Sequence, residues 1–284
     1  MDKEQINSCK EFQKDGCKYQ QLPPHKDLES FVNYFFVSEG AGPPADDKIK
    51  LMLVPDGHFD ILWHSGSHFE YEIKETGQSN SNELIIAGQM TRASYLNINF
   101  PVTIIGAKLF AHALHPLVKT HLCEFTDKVF NFEDIFEDSK ELIKSMRIAG
   151  DKFEALRLLQ SYLINKYSKC KDIDEITVNI SREFFKESGN ITLKEIARIY
   201  DISPRQIERK FDRFIGQTPK MLSRAIRFSG CLAAIQRSPG RKTLEVIHSF
   251  GYYDQTHFIK EFKDFVKLTP NEYKKWINSF MDKR

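Results

Sequence analysis

The 284-residue sequence has no apolar stretch long enough to cross a bilayer, and Met1 to Gly16 is polar and charged rather than a hydrophobic leader. A cytoplasmic location is therefore expected, with no membrane partner. Cysteine is sparse: Cys9, Cys17, Cys123, Cys170 and Cys231 are scattered, odd in number and form no CxxC pair. That excludes a zinc ribbon or a disulfide framework and predicts reduced, mostly structural thiols. Catalytic signatures are also missing. There is no GxSxG, HExxH, P-loop or Rossmann fingerprint. No enzyme activity and no cofactor are expected on this ground.

What is present is a chain with 41% hydrophobic residues, enough for packed cores, and a length that suggests two domains. Its net charge of +2 hides a strong asymmetry. From Ser181 onward there are 21 Lys and Arg against 12 Asp and Glu, a surplus of +9. The rest of the chain holds 20 basic and 27 acidic residues, a balance of −7. A basic half next to an acidic half points to a polyanion as partner.

The basic half contains a gapless repeat with an offset of 51 residues. Thr192-Leu193 recurs as Thr243-Leu244, Ile196 as Ile247, Ser203 as Asp254 and Ile207 as Phe258. Phe211, Phe214 and Ile215 recur as Phe262, Phe265 and Val266, and Thr218-Pro219 as Thr269-Pro270. Caps, apolar anchors and prolines in register imply a duplicated structural unit. In the first copy Thr192 and Glu195 form a T-x-x-E capping box, and Leu193, Ile196, Ala197 and Tyr200 give an apolar face. Ser203 caps a second helix with Pro204 at its first position and Gln206 completing an S-x-x-Q box. Ile207, Phe211, Phe214 and Ile215 make its buried stripe, and Gly216 ends it. Two short helices around a tight turn form a helix-turn-helix. In the second copy Leu244, Ile247 and Phe250 line the first helix, and Tyr252-Tyr253-Asp254 makes the turn. Between the copies, Pro219 to Gln236 predicts a rigid helix, ended by Ser238-Pro239-Gly240.

The outward faces of the second helices carry the functional expectation. Arg205, Glu208, Arg209 and Asp212 fall on one stripe, with Ser203, Gln206 and Arg213 beside it. Arginine can fork onto guanine O6 and N7, and residues near the start of a recognition helix reach base edges. The bland alternative is a salt-paired surface, Arg205 with Glu208 and Arg209 with Asp212. In the second copy Tyr253, Gln255, Thr256, His257 and Lys260 face outward, followed by Lys263. Gln and Thr suit base edges, whereas Lys260 and Lys263 suit phosphates.

The stretch ITLKEIARIYDISPRQIERKFDRFIGQTPKMLSRAIRF, followed by TLEVIHSFGYYDQTHFIKEFKDFVKLTPNEYKK, closely resembles the DNA-binding domain of the AraC/XylS family. The resemblance covers about residues 181–278. It implies a seven-helix, all-α domain that binds double-stranded promoter DNA, with RNA polymerase as a further partner. It also implies that Arg205, Glu208, Arg209, Gln255, Thr256 and Lys260 occupy base-facing positions.

Residues 1–125 read as β-rich. Ile49 to Val54 is an apolar run, Pro55-Asp56-Gly57 a turn, and His58 to His64 alternates with a period of two. Phe69 to Lys74, Glu83 to Ala87, Tyr95 to Phe100 and Val102 to Lys108 predict further strands, and Gly77 to Asn82 a turn. A barrel or sandwich is the natural packing. The segment LMLVPDGHFDILWHSG resembles the cupin-like N-terminal domains of some AraC-type regulators. Such a domain implies a small-molecule effector, with His58, Trp63, His64, Gln89 and Lys108 as candidate lining residues. His58, His64, His68, His112 and His115 match no short metal-ligand motif, so no metal is expected. Residues 126–180 return to helical periodicity, with an apolar stripe at Phe153, Leu156, Leu159, Tyr162 and Leu163. That stripe either packs on the chain's own barrel or pairs with a second subunit in a homodimer.

The expected fold is therefore α+β: a β-rich sensor domain at 1–125, a helical connector at 126–180 and an all-α domain of two helix-turn-helix units at 181–284. The alternatives to a ligand-responsive regulator are a cupin-type metalloenzyme, a DNA-repair protein with a borrowed DNA-binding module, or an architectural DNA-binding protein.

Overall fold

Two long antiparallel strands organise the N-terminal half of the computed structural model, which describes residues 10–14, 17–40, 49–118, 120–171, 173–237 and 243–281. The strands are β1 (Lys10–Lys14), β2 (Cys17–Leu22), β3 (Val32–Gly40), β4 (Ile49–Leu53), β5 (Phe59–Ile73), β6 (Gln78–Asn80), β7 (Leu84–Ala87), β8 (Ser94–Leu109) and β9 (Val129–Asn131). They form one nine-stranded sheet in the order β1-β2-β3-β8-β5-β7-β9, with β4 on β8 and β6 on β5. Every pairing is antiparallel.

The expected strands at Tyr95–Phe100 and Val102–Lys108 are one continuous strand, β8, and those at His58–His64 and Phe69–Lys74 are the single strand β5. Pro101 lies in the middle of β8 and has no N–H to give the ladder. The β5–β8 register shifts between Gly66 and His68, opposite that point, so the pairing resumes beyond a bulge. Gly66 has φ +129°, and a Cβ there would lie 2.4 Å from the Pro101 carbonyl oxygen. Only glycine lets the two backbones approach so closely. The strands β1 to β3 carry no clean alternation and were not expected. The expected turn at Gly77–Asn82 contains the short strand β6.

The sheet has a core on each face. Phe59, Ile61, Trp63, Leu84, Ile86, Ile105 and Ala107 share one cluster with the helical connector. Leu62, Phe69, Tyr71, Ile85, Ile98 and Ile104 share another. The connector comprises α1 (Phe132–Ile135), α2 (Lys140–Ile148) and α3 (Lys152–Tyr167). Asp151 caps α3 by accepting from the Glu154 N–H at 2.7 Å. Leu156, Leu159 and Leu163 of α3 are fully buried in the first cluster. The stripe thus packs on the chain's own sheet and is spent within the subunit.

Seven helices follow among the described residues: α4 (Glu175–Lys186), α5 (Leu193–Ile199), α6 (Pro204–Phe214), α7 (Pro219–Arg237), α8 (Thr243–Ser249), α9 (Gln255–Val266) and α10 (Pro270–Met281). Helix α4 starts at Glu175 with Asp174 as its cap, so a division at 180/181 falls inside it. Ser238-Pro239-Gly240 lies outside the described residues. No helix of the described residues is long and apolar enough to cross a membrane.

Candidate nucleic-acid interface

The first unit is α5–α6, and both capping boxes are formed. The Thr192 hydroxyl accepts from the Glu195 N–H, and Glu195 accepts from the Thr192 N–H at 2.8 Å. Ser203 and Gln206 do the same at the start of α6, with Pro204 in its first turn. These reciprocal bonds satisfy the N–H groups that a helix start leaves without partners. Ile196, Ile207, Phe211 and Ile215 are fully buried against Ile180 and Phe184 of α4 and Leu222 of α7.

The second unit is α8–α9. Asp254 caps α9 by accepting from the His257 N–H at 2.7 Å. Val246, Ile247, Phe258, Phe262, Phe265 and Val266 are buried with Phe228 and Cys231 of α7. Leu244 departs from the sequence expectation: it is 48% exposed, and Val246 takes the inward place. Helix α7 lends residues to both cores, so it is shared structure rather than a bare spacer. At 19 residues it is about 28 Å long.

Ser203, Arg205, Gln206, Glu208, Arg209 and Arg213 of the first unit are all exposed, as are Tyr253, Gln255, Thr256, His257, Lys260 and Lys263 of the second. Among the described residues no ion pair joins Arg205 to Glu208 or Arg209 to Asp212, so those guanidinium groups are not engaged as the bland alternative requires. Lys210, by contrast, is held by Asp174 at 2.6 Å and faces away from that stripe. The Ser203 hydroxyl and Gln206 Oε1 serve the capping box. Tyr253 is 85% exposed, whereas its neighbour Tyr252 is buried with His257 and Phe258 against its ring.

The five candidate effector residues do not converge. Trp63 and His64 line an open cleft of about 820 Å³ between the sheet and the connector, with Glu39, Glu83, Arg147 and Lys152. Trp63 Nε1 donates to Glu83 at 3.3 Å, and Arg147 grips the same carboxylate at 2.6 Å. His64 stacks on Phe69 with ring centroids 4.2 Å apart, and burial lowers its pKa. Lys108 lies elsewhere, buried between Asp56 and Asp60 at 2.7 and 2.8 Å. Burial opposes its charge, but the two carboxylates outweigh that and hold its pKa well above the ordinary lysine value. His58 accepts from Asn33 Nδ2 at 2.9 Å and packs on Phe185 of α4 at 4.5 Å. It belongs to the contact between the two halves.

Gln89 is the largest departure. Only 1% of it is exposed, and its Nε2 donates at 2.8 Å to the carbonyl of Ile215, just past the end of α6. Periodicity gives no sign of such a contact, because the partners are 126 positions apart. Among the described residues no group of three or more His, Cys, Asp and Glu is placed to hold a metal ion.

Comparison with known proteins adds the family context. Residues 196–275 match the model of a helix-turn-helix domain, and residues 20–131 match a domain of unknown function, DUF6597. An uncharacterized HTH-type transcriptional regulator of Haemophilus influenzae is 24% identical over 86 residues, which is 30% of this chain and 28% of that protein. Among solved structures, ToxT from Vibrio cholerae is 13% identical with a TM-score of 0.46, covering 84% of this chain and 97% of that one. The AraC-like transcriptional activator CuxR is 12% identical with a TM-score of 0.29, over 78% of this chain and 82% of that one. These structural likenesses are too distant to carry residue roles across. Two capped helix-turn-helix units on one shared helix, the match over 196–275 and the AraC-type sequence signature agree: this chain carries an AraC-type helix-turn-helix domain at its C-terminus.

Proposed function

We propose that the protein is a sequence-specific transcriptional regulator whose α6 and α9 read successive major grooves on one face of a duplex. The observation that carries this reading is the pair of outward stripes. Arg205, Glu208 and Arg209 stand exposed within the first turns of α6, with no ion pair among the described residues, and Gln255, Thr256 and Lys260 stand at the matching place on α9. A recognition helix reads bases with its N-terminal residues, and adjacent major grooves on one face lie about 34 Å apart. In this reading Arg205 and Arg209 contact guanines, Gln255 and Thr256 contact A·T pairs, and Lys260 and Lys263 neutralise phosphates. RNA polymerase is the partner downstream of DNA binding. Effector control belongs to the N-terminal domain, at the cleft of Trp63 and His64, and a homodimer would form through surfaces other than the stripe of α3.

Selection of binding sites from random duplex DNA, with full-length protein at a stated salt concentration, tests the reading. Two short conserved blocks about one helical turn apart are expected. Enrichment of a single block, or of none under any condition, would overturn it.

A further inference from the structure

The linker helix is not all that connects the two recognition helices. We infer that residues 88–93 of the N-terminal domain, between β7 and β8, are a positioning strap that sets the spacing of the two DNA blocks. This inference rests on the two-helix reading above and adds to it a part for the β-rich domain.

The strap meets both units near the ends of their second helices, at carbonyls one residue apart in the repeat register. Gln89 Nε2 donates to the Ile215 carbonyl at 2.8 Å, and the Ala93 N–H donates to the Phe265 carbonyl at 2.8 Å. By the 51-residue offset, Phe214-Ile215-Gly216 corresponds to Phe265-Val266-Lys267. The backbone obeys the repeat as well: Gly216 and Lys267 both take left-handed φ values, +79° and +62°. Each recognition helix is thus followed by a left-handed residue at the same repeat position, although α9 runs one residue further than α6, and each spends a carbonyl near its end on the strap. A second bond returns from the DNA-binding domain, where Gln217 Nε2 donates to the Gln89 carbonyl at 3.3 Å.

The strap is stiff. Gly88 donates to the Lys128 carbonyl at 2.9 Å, and a Cβ on it would lie 1.6 Å from the Phe125 carbonyl oxygen. Asp127 accepts from both the N–H and the hydroxyl of Thr91 at 2.6 Å. Met90 enters the core of the sheet, while Ala93 enters the core of the second helix-turn-helix unit. From Gln89 to Ala93 is four residue steps, at most about 14 Å of chain. The C-terminal ends of α6 and α9 are therefore tethered across a short distance.

A single helix between two units leaves them free to rock as it bends. A second tether at the far ends removes that freedom. Because one helical turn is 10–10.5 base pairs, each inserted pair rotates the second block by roughly 35°. A rigid pair of readers should reject such a shift.

The experiment uses full-length protein and the two-block duplex, with the spacer changed by one and two base pairs in each direction. Kd is read by fluorescence anisotropy at fixed salt. The wild-type chain should lose roughly fivefold or more for the first base pair, the scale of one misplaced base contact. Gln89→Met keeps the volume and removes the donor, and its spacer profile should flatten or move its optimum. Gln217→Met cuts the returning bond from the other side and should act in the same direction. Both variants are compared at matched helical content by circular dichroism, and Gln217→Met decides the matter if Gln89→Met does not fold. An unchanged, sharp spacer optimum in a folded variant, with affinity reduced equally at every spacing or not at all, overturns the strap. Selection of only one block by the wild-type chain overturns the two-helix reading instead.

Discussion

Glu261 of α9, itself buried, forms an ion pair with the partly exposed Arg224 of α7, with Oε1 and Nε 2.8 Å apart. Arg227 joins them at 3.4 Å, and only 4% of Glu261 is exposed. The carboxylate sits behind the second recognition helix and binds it to the shared helix. Removing Glu261 takes a carboxylate from Arg227 and leaves Arg224 with Asp264 at 3.0 Å, both arginines staying partly open to water. Glu261→Ala is expected to cost about 1.5–3 kcal/mol of unfolding free energy, the worth of hydrogen bonds to charged groups, read from urea denaturation. A cost below about 1 kcal/mol would show that solvent already screens the pair.

Arg209 stands exposed on α6 with no ion pair among the described residues. Arg209→Ala should weaken binding to the selected site by about 1–3 kcal/mol, the worth of a good bidentate base contact. Binding to random duplex should change much less. Competition gel shifts measure both, and an equal loss on the two DNAs would make Arg209 a phosphate contact.

Lys260 and Lys263 are the expected phosphate contacts of α9. Replacing either by alanine should weaken all sequences alike and reduce the slope of log K against log salt by about 1. An altered base preference with an unchanged slope would reverse their assignment.

Gly216 and Gly77 make a matched pair for a thermal-melting test. Both have positive φ, +79° and +68°. At Gly77 a Cβ meets nothing within 4 Å, whereas at Gly216 it lies 2.3 Å from the Leu122 carbonyl carbon. Gly77→Ala should cost about 1 kcal/mol for the left-handed backbone alone. Gly216→Ala should cost clearly more, because the N-terminal domain must also move. Equal costs would mean that the contact between the halves yields freely.

His112 is buried and its Nε2 donates to the Ser30 carbonyl at 2.7 Å. Burial, with Arg182 adding, lowers its pKa to about 4. The unfolded chain, with an ordinary histidine pKa near 6.5, therefore binds the proton more readily than the folded one. Stability should be full above about pH 6.5 and fall as pH drops toward 4, by up to about 3 kcal/mol. His112→Gln keeps a donor for Ser30 and should remove this share of the slope in chemical denaturation at pH 4.5 to 7. An unaltered slope would assign the pH dependence to other groups.

The DNA-binding half was legible in the sequence because its determinants are local. Thr192, Ser203 and Asp254 cap helices whose N–H groups lie three residues away. The buried stripe of α6 follows the helical period, and the 51-residue repeat announces the second unit without any knowledge of contacts. The β-rich half was legible only in part. An apolar run located β4, alternation the first part of β5, and short apolar segments β7 and most of β8, but none of these could show that β8 runs on through Pro101, because that continuity depends on its partner strands. Nor could it place Lys108 between Asp56 and Asp60, or separate Trp63 and His64 from Gln89. By itself the sequence determined two capped helix-turn-helix units, their outward faces and a helix between them. Tertiary structure alone decided that Gln89 and Ala93 close on the ends of both recognition helices, since a hydrogen bond between residues 126 positions apart leaves no periodic trace in either segment.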